Sequence, residues 1–203
     1  MTTAPDLEPI IPFLVRTGAL KFGEFTLKSG GTSPFFIDLG EVKHGRDLVF
    51  LGGHLADALA QRFPAATLLF GPAYKGISLA TAAAVAAWHR AGRDLGVLYD
   101  RKEAKTHGET GNFIGRRPTP DDHLVIIDDV LTSGRTKLDA IDGLRAAFGV
   151  TRADVLVVVD RTTRRTASPL PVAALTTVPD LAAHLRAAGD SRWRIIQDFW
   201  ENA

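Results

Sequence analysis

The residues of this chain best suited to chemistry lie together in Val125-Ile126-Ile127-Asp128-Asp129-Val130-Leu131-Thr132-Ser133-Gly134-Arg135-Thr136. A continuously apolar run delivers two adjacent carboxylates, and a turn of small hydroxylated residues then opens a helix-forming stretch. At the carboxyl edge of an open α/β sheet such a turn presents free backbone amides and the positive end of a helix, which together attract phosphate. Thr132, Ser133 and Thr136 add hydroxyl donors, and Gly134 lets the backbone approach an anion closely. Asp128 and Asp129 lie just upstream, where carboxylates can bond the vicinal hydroxyls of a ribose. The chemistry expected here is recognition of a phosphorylated sugar. Helix capping by Thr132 or Ser133 would explain the turn, but not two acids at the end of a buried strand. Neither the Gly-x-x-x-x-Gly-Lys spacing nor a dinucleotide fingerprint is present. Adjacent strand residues point to opposite faces, so the two acids cannot ligate one ion without local distortion.

The elements that must position these residues follow from apolar spacing. Short apolar runs alternate with helical ones: Thr67 to Phe70, Ile77 to Ala91, Leu95 to Tyr99, His123 to Val130, Thr136 to Phe148 and Ala153 to Val159. Such alternation predicts crossover units and a mainly parallel sheet flanked by helices. The runs Leu124 to Ile127 and Val155 to Val159 are apolar throughout, as central strands covered on both faces should be. Before them, Ile10, Phe13, Leu14 and Leu20 suggest a short helix ending near Gly18, and the stretch through Phe25, Ser29 and Phe36 reads as a hairpin. Leu48, Leu51, Leu55, Leu59 and Phe63 recur at helical spacing until Pro64 stops them. Between Tyr99 and His123 lies a long polar segment with a possible short strand at Phe113-Ile114, and loops of that length in a compact domain are usually functional or disordered. Pro171 to Val178 reads as a strand, Leu181, Leu185 and Ala188 as a short helix, and Ile195-Ile196 with Phe199 as a terminal packing segment.

Composition bounds the partners. A chain of 203 residues, 45% hydrophobic and 23% charged, can bury one core, so a single domain over 1–203 is expected. A net charge of +1 argues against a nucleic-acid binder, which needs many clustered cations. With no cysteine, disulfides and thiolate chemistry are excluded. Met1 to Ile10 lacks the pattern of a secretory signal, and no run reaches the ~18 to 20 apolar residues of a spanning helix. A cytoplasmic location is expected.

The acid-pair segment resembles the phosphoribosyl diphosphate motif of the type I phosphoribosyltransferases. Three further segments resemble the orotate phosphoribosyltransferase family in particular and extend the likeness from Phe25 to Arg161. The first is Phe25-Thr26-Leu27-Lys28-Ser29-Gly30 with Ser33-Pro34-Phe35-Phe36-Ile37-Asp38; the resemblance implies that Lys28 meets substrate and that Phe35 and Phe36 flank the pyrimidine. Taken alone, the two phenylalanines read as core residues. The second is Gly71-Pro72-Ala73-Tyr74-Lys75-Gly76-Ile77, whose glycines would let a ligand approach backbone amides, and which by resemblance meets the diphosphate through Tyr74 and Lys75. The third, Arg101-Lys102-Glu103-Ala104-Lys105-Thr106-His107-Gly108-Glu109-Thr110-Gly111, resembles the family's mobile catalytic loop, although Thr110 replaces a usual glycine and Arg116-Arg117 is atypical. Its cations would repel one another in water yet suit a leaving diphosphate.

Asp160-Arg161 completes the set: the family's arginine here pairs with the carboxylate of orotate, with Arg164 and Arg165 as competitors. Only seven of the 24 basic residues are lysines, and Lys28, Lys75, Lys102 and Lys105 are four of them.

The resemblance implies a single domain whose residues 1–45 form a small N-terminal hood over the base, and a homodimer whose loop is shared between subunits. It also implies the transfer of ribose 5-phosphate from phosphoribosyl diphosphate to orotate, in pyrimidine biosynthesis. No protein nucleophile is required. Asp128 and Asp129 would hold ribose hydroxyls, and Thr132, Ser133, Gly134, Arg135 and Thr136 would hold the phosphate. Lys75, Arg101, Lys102, Lys105 and His107 would balance the diphosphate. Magnesium would arrive with the diphosphate and touch the protein, at most, through Asp129. Lys105 and His107 are equal candidates for proton donor. Rival readings are a purine or uracil enzyme of the same fold, and a regulatory protein that senses phosphoribosyl diphosphate.

Overall fold

A computed structural model of the protein describes residues 8–27, 30–101, 112–163, 168 and 171–202. Helix α1 (Ile10–Arg16) buries Phe13 and Leu14. Leu20, grouped with this helix by spacing, instead opens strand β1 (Leu20–Thr26), which pairs antiparallel with β2 (Thr32–Ile37) in the expected hairpin. A single 3-10 turn (Leu39–Glu41) leads to α2 (Gly45–Arg62), where Leu51, Leu55 and Leu59 are fully buried. The helix ends before Pro64, whose ring cannot continue it.

The rest alternates as the apolar runs predict: β3 (Leu68–Gly71), α3 (Lys75–Ala91), β4 (Gly96–Asp100), β5 (Phe113–Gly115), β6 (His123–Leu131), α4 (Arg135–Phe148), β7 (Arg152–Asp160), β8 (Val172–Thr177), α5 (Val178–Ala187) and α6 (Trp193–Asn202). Val178, read as the end of a strand, begins α5 instead. Thr177 and Asp180 form a reciprocal capping box there, and Pro179 lies in the first turn. The terminal packing segment is a helix.

The strands form a six-stranded sheet in the order β5-β4-β3-β6-β7-β8, parallel except for β5 at the edge. Chain connections run outward from β3 to β4 and from β6 to β7, so the loops beyond β3 and β6 diverge. That divergence opens a crevice at their carboxyl ends, the usual place for a ligand in an open α/β sheet.

Side chains of β6 alternate between two cores. Val125 and Ile127 join the core built with α2, α3, α5 and α6, whereas Leu124 and Ile126 join the one closed by Ile141 and Leu144 of α4. No helix among the described residues is long and apolar enough to cross a membrane.

At the opposite edge Asp122, 4% exposed, ties three elements together. It accepts bonds from Thr67 Oγ1 at 2.6 Å, Arg116 Nη2 at 2.9 Å and the Thr119 amide at 2.8 Å. The atypical Arg116 is thus spent on the scaffold. Burial alone would raise the Asp122 carboxyl, but Arg116, Thr67 and Thr119 outweigh it and hold the group below its ordinary value of 3.8. Its stabilisation is therefore present above about pH 4 and lost as pH falls below that value. Asp122→Asn should cost about 1 to 3 kcal/mol at neutral pH, because buried donors lose their acceptor. It should also flatten the acid limb of stability. Urea unfolding from pH 7 to 3 checks this, and an unchanged acid limb in the variant would count against it.

Candidate active site

Strand alternation decides what each acid meets. Asp128, one residue on from Ile127, turns to the α4 side, where its carboxylate lies 2.5 Å from Lys137 Nζ with side chains only 16% and 9% exposed. Burial pushes the Asp128 carboxyl up, against the pull of Lys137. Lys137 also donates to the Val130 carbonyl at 3.1 Å. Asp129 turns to the α3 side and lies 3.2 Å from Lys75 Nζ.

Lys75 in turn reaches Asp38 at 3.1 Å, and Asp38 is bonded by Lys21 at 2.9 Å. Lys21 and Lys75, with the Gly40 amide, hold the Asp38 carboxyl down at about 2. For Lys75, burial alone would lower the ammonium, but Asp129 and Asp38 win and raise it. A line of alternating charge thus joins the hairpin to the sheet edge.

The turn after β6 runs from Thr132 into α4. Gly134, at φ 72°, sits in the left-handed region that side chains avoid and precedes α4 without any side-chain cap, so Thr132 and Ser133 are not spent on ordinary capping. Thr132, Ser133, Arg135 and Thr136 are all exposed, and Arg135 forms only a surface pair with Asp139 at 3.3 Å.

At the start of α3 a Cβ on Gly71 would lie 2.3 Å from the Gly76 carbonyl oxygen, and one on Gly76 would meet the Ile127 carbonyl at 2.9 Å. These glycines let α3 sit closely against β3 and β6. Tyr74 is 68% exposed beside them. Asp100 accepts a bond from the Ala73 amide at 2.6 Å, which fixes this turn to the end of β4.

The chain enters and leaves residues 102–111 at the same edge, through Arg101 and Asn112. The Arg101 amide donates to the Asn112 carbonyl at 2.6 Å, closing the base of 102–111 as a continuation of the β4–β5 pairing. The Arg101 Nε is buried without a hydrogen-bond partner among the described residues. Lys102, Lys105 and His107, and also Lys28, Arg164 and Arg165, lie outside the described residues.

Arg161 follows β7 and is 8% exposed. Its amide donates to the Leu131 carbonyl at 2.8 Å, and its Nη2 donates to Ser33 Oγ at 3.1 Å. Among the described residues its guanidinium meets no carboxylate, and burial lowers its affinity for the proton without neutralising it. Phe35 and Phe36 lie on opposite sides of β2. Phe35 is fully buried under Arg161 with its ring centroid 4.6 Å from the guanidinium carbon, whereas half-buried Phe36 stacks on Phe25 at 5.4 Å. The structure thus gathers Asp129, Lys75, the α4 turn, Arg101 and Arg161 at one sheet edge, and gives the two phenylalanines different surroundings.

Three residues of this edge carried no assigned role in the sequence: Asp38, Lys137 and Ser33. Lys137 alone left a signal, since a lysine in the first turn of a helix opposes the helix dipole and calls for a nearby acid.

The fold and this edge define a phosphoribosyltransferase: residues 39–178 match the family of phosphoribosyl transferase domains. A protein of Chromohalobacter salexigens named orotate phosphoribosyltransferase is 46% identical over 160 residues, covering 79% of this chain and 67% of that one. One of the same name from Janthinobacterium is 38% identical over 198 residues, 90% and 88% of the two chains. The Francisella tularensis orotate phosphoribosyltransferase structure superposes with a TM-score of 0.75 at 28% identity, covering 93% of this chain and 96% of that one. The chain belongs to the orotate phosphoribosyltransferase family.

Proposed function

We infer that the protein transfers the ribose 5-phosphate group of phosphoribosyl diphosphate to orotate, giving orotidine 5'-phosphate and diphosphate in the making of UMP. The sugar's bond to the diphosphate breaks as a ring nitrogen of the base takes its place. Positive charge grows on the ribose and negative charge on the leaving group, so the protein's work is positioning and electrostatic stabilisation. In this reading the α4 turn from Thr132 to Thr136 holds the 5-phosphate, and Asp129, with Asp128 behind it, faces the ribose. Lys75 and Arg101 flank the diphosphate together with Lys102, Lys105 and His107 of the loop. The hairpin, bound to the sheet edge by Asp38–Lys75 and Ser33–Arg161, forms a hood that covers the base.

A divalent cation fits this edge only in one way. Among the described residues no three acidic or histidine side chains converge, and both acids of the pair already face lysines. Magnesium would ride on diphosphate oxygens with Asp129 beside it, and its part is to offset the leaving group's charge.

The proposal includes a cytoplasmic homodimer whose loop 102–111 serves the neighbouring site. Val85 and Trp88, three residues apart on α3, are 52% and 57% exposed. Large apolar side chains left on a surface in this way favour contact with a second protein face.

The observation that carries the base assignment is Arg161, a buried guanidinium whose side chain has, among the described residues, a single hydroxyl partner. A planar fork of donors is suited to a carboxylate. Arg161→Ala should weaken orotate by about 1.5 to 3 kcal/mol, since the carboxylate loses a charge-assisted bond, and should spare phosphoribosyl diphosphate. Steady-state kinetics followed by loss of orotate absorbance, with uracil and a purine as competing bases, tests both statements. Equal loss for both substrates would point away from Arg161, and turnover of uracil or purine instead of orotate would overturn the assignment.

A further inference from the structure

Arg161 is held by two elements that meet only in the folded chain. From the hairpin, Ser33 Oγ donates to the Phe35 carbonyl at 2.6 Å, which commits its proton and leaves a lone pair to accept from Arg161 Nη2 at 3.1 Å. Phe35 supports the guanidinium at 4.6 Å.

The second element is α6. Its Phe199 packs edge-on against Phe35 at 5.5 Å and stands 5.7 Å from the same guanidinium. Its Trp200 donates from Nε1 to the carbonyl of Thr162, the residue after Arg161, at 3.0 Å. Ile196, fully buried, fixes the helix to the core. The C-terminal helix therefore grips Arg161 twice, once at its ring-supported side chain and once at the adjoining backbone.

We propose that α6 is part of the base-selecting apparatus, with Phe199 and Ser33 as positioning residues that fix the plane of Arg161 so that its remaining donors meet the carboxylate of an acidic pyrimidine. An arginine side chain has five N–H donors in one rigid fork, so one hydroxyl bond plus two aromatic neighbours sets its orientation, and among the described residues the other donors are left for substrate. Without these neighbours the fork would sample other rotamers, and the carboxylate would meet a correctly placed arginine only part of the time. The inference rests on Arg161 being the carboxylate-binding group.

The test uses the full chain with Phe199→Leu, which keeps an apolar side chain at this half-buried position, and Phe199→Tyr, which keeps the ring. Phe199→Leu should raise the KM for orotate about fivefold, the loss expected of one desolvated cation–π contact, and lower the preference for orotate over uracil. It should leave kcat and the KM for phosphoribosyl diphosphate near their original values. Phe199→Tyr should restore the orotate KM, and Ser33→Ala should reproduce the Phe199→Leu pattern. On an Arg161→Ala background, Phe199→Leu should have no further effect on orotate, because both changes remove one function. A Phe199→Leu penalty that falls equally on both substrates, or that persists undiminished without Arg161, would assign α6 a merely structural role and overturn the inference. An orotate KM unmoved by Arg161→Ala alone would instead remove the reading on which it stands.

Discussion

Asp129→Asn should lower turnover by about 30- to 1000-fold, equivalent to ~2 to 4 kcal/mol in the barrier, the range for loss of one preorganised electrostatic group. The neutral amide keeps the shape of the carboxylate but not the charge that faces a ribose becoming cationic. The fold should survive, because Lys75 retains Asp38 at 3.1 Å as its second anionic partner.

Asp128→Asn has a different profile despite the adjacent position. Turnover should fall, but Lys137 is left with its side chain 9% exposed and no counter-charge. Breaking a buried pair from one side typically costs about 3 to 5 kcal/mol of stability. Thermal unfolding measured beside kcat separates the two: Asp129→Asn should lose activity at a nearly unchanged Tm, and Asp128→Asn should lose both. Near-normal turnover in Asp129→Asn would remove this strand end from the reacting sugar.

The second large effect is a gain. Lys105→Ala chains and Asp129→Asn chains, each strongly impaired, should recover activity when mixed, if one subunit supplies the acids and the other the loop. In a mixed dimer one site then carries both defects and the other carries neither. Random exchange makes about half the dimers mixed, so roughly a quarter of all sites should be intact in a symmetric two-chain assembly. Arg101 and Asn112, which flank residues 102–111, are paired on the edge that holds Lys75 and the acid pair. Exchange is confirmed by mass-tagged chains. Verified mixed dimers with no more activity than their parents would show that the loop works within its own chain.

Much of this site was legible before any fold was known, for local reasons. The apolar run Leu124 to Ile127 specifies a strand covered on both faces, and the small-residue turn after it specifies a helix start. The two-residue period of a strand already required Asp128 and Asp129 to diverge. Where a prediction slipped by a residue or two, as at Leu20 and Val178, a turn or a capping box outweighed apolar spacing.

What the sequence alone determined, then, is which residue types stand at which strand ends, because local propensity and periodicity act over a few residues. Which partner each one meets was decided by tertiary structure. Lys75 and Lys137 are indistinguishable as lysines near helix starts, yet α3 and α4 cover opposite faces of β6, so one meets Asp129 and the other Asp128. Phe35 and Phe36 are neighbours in a motif, but the pleat buries one under Arg161 and stacks the other on Phe25. Ser33 and Arg161 are separated by 128 positions, and Phe199 arrives on a different helix. Contacts of such separation depend on how whole elements pack, and no local pattern along the chain encodes them.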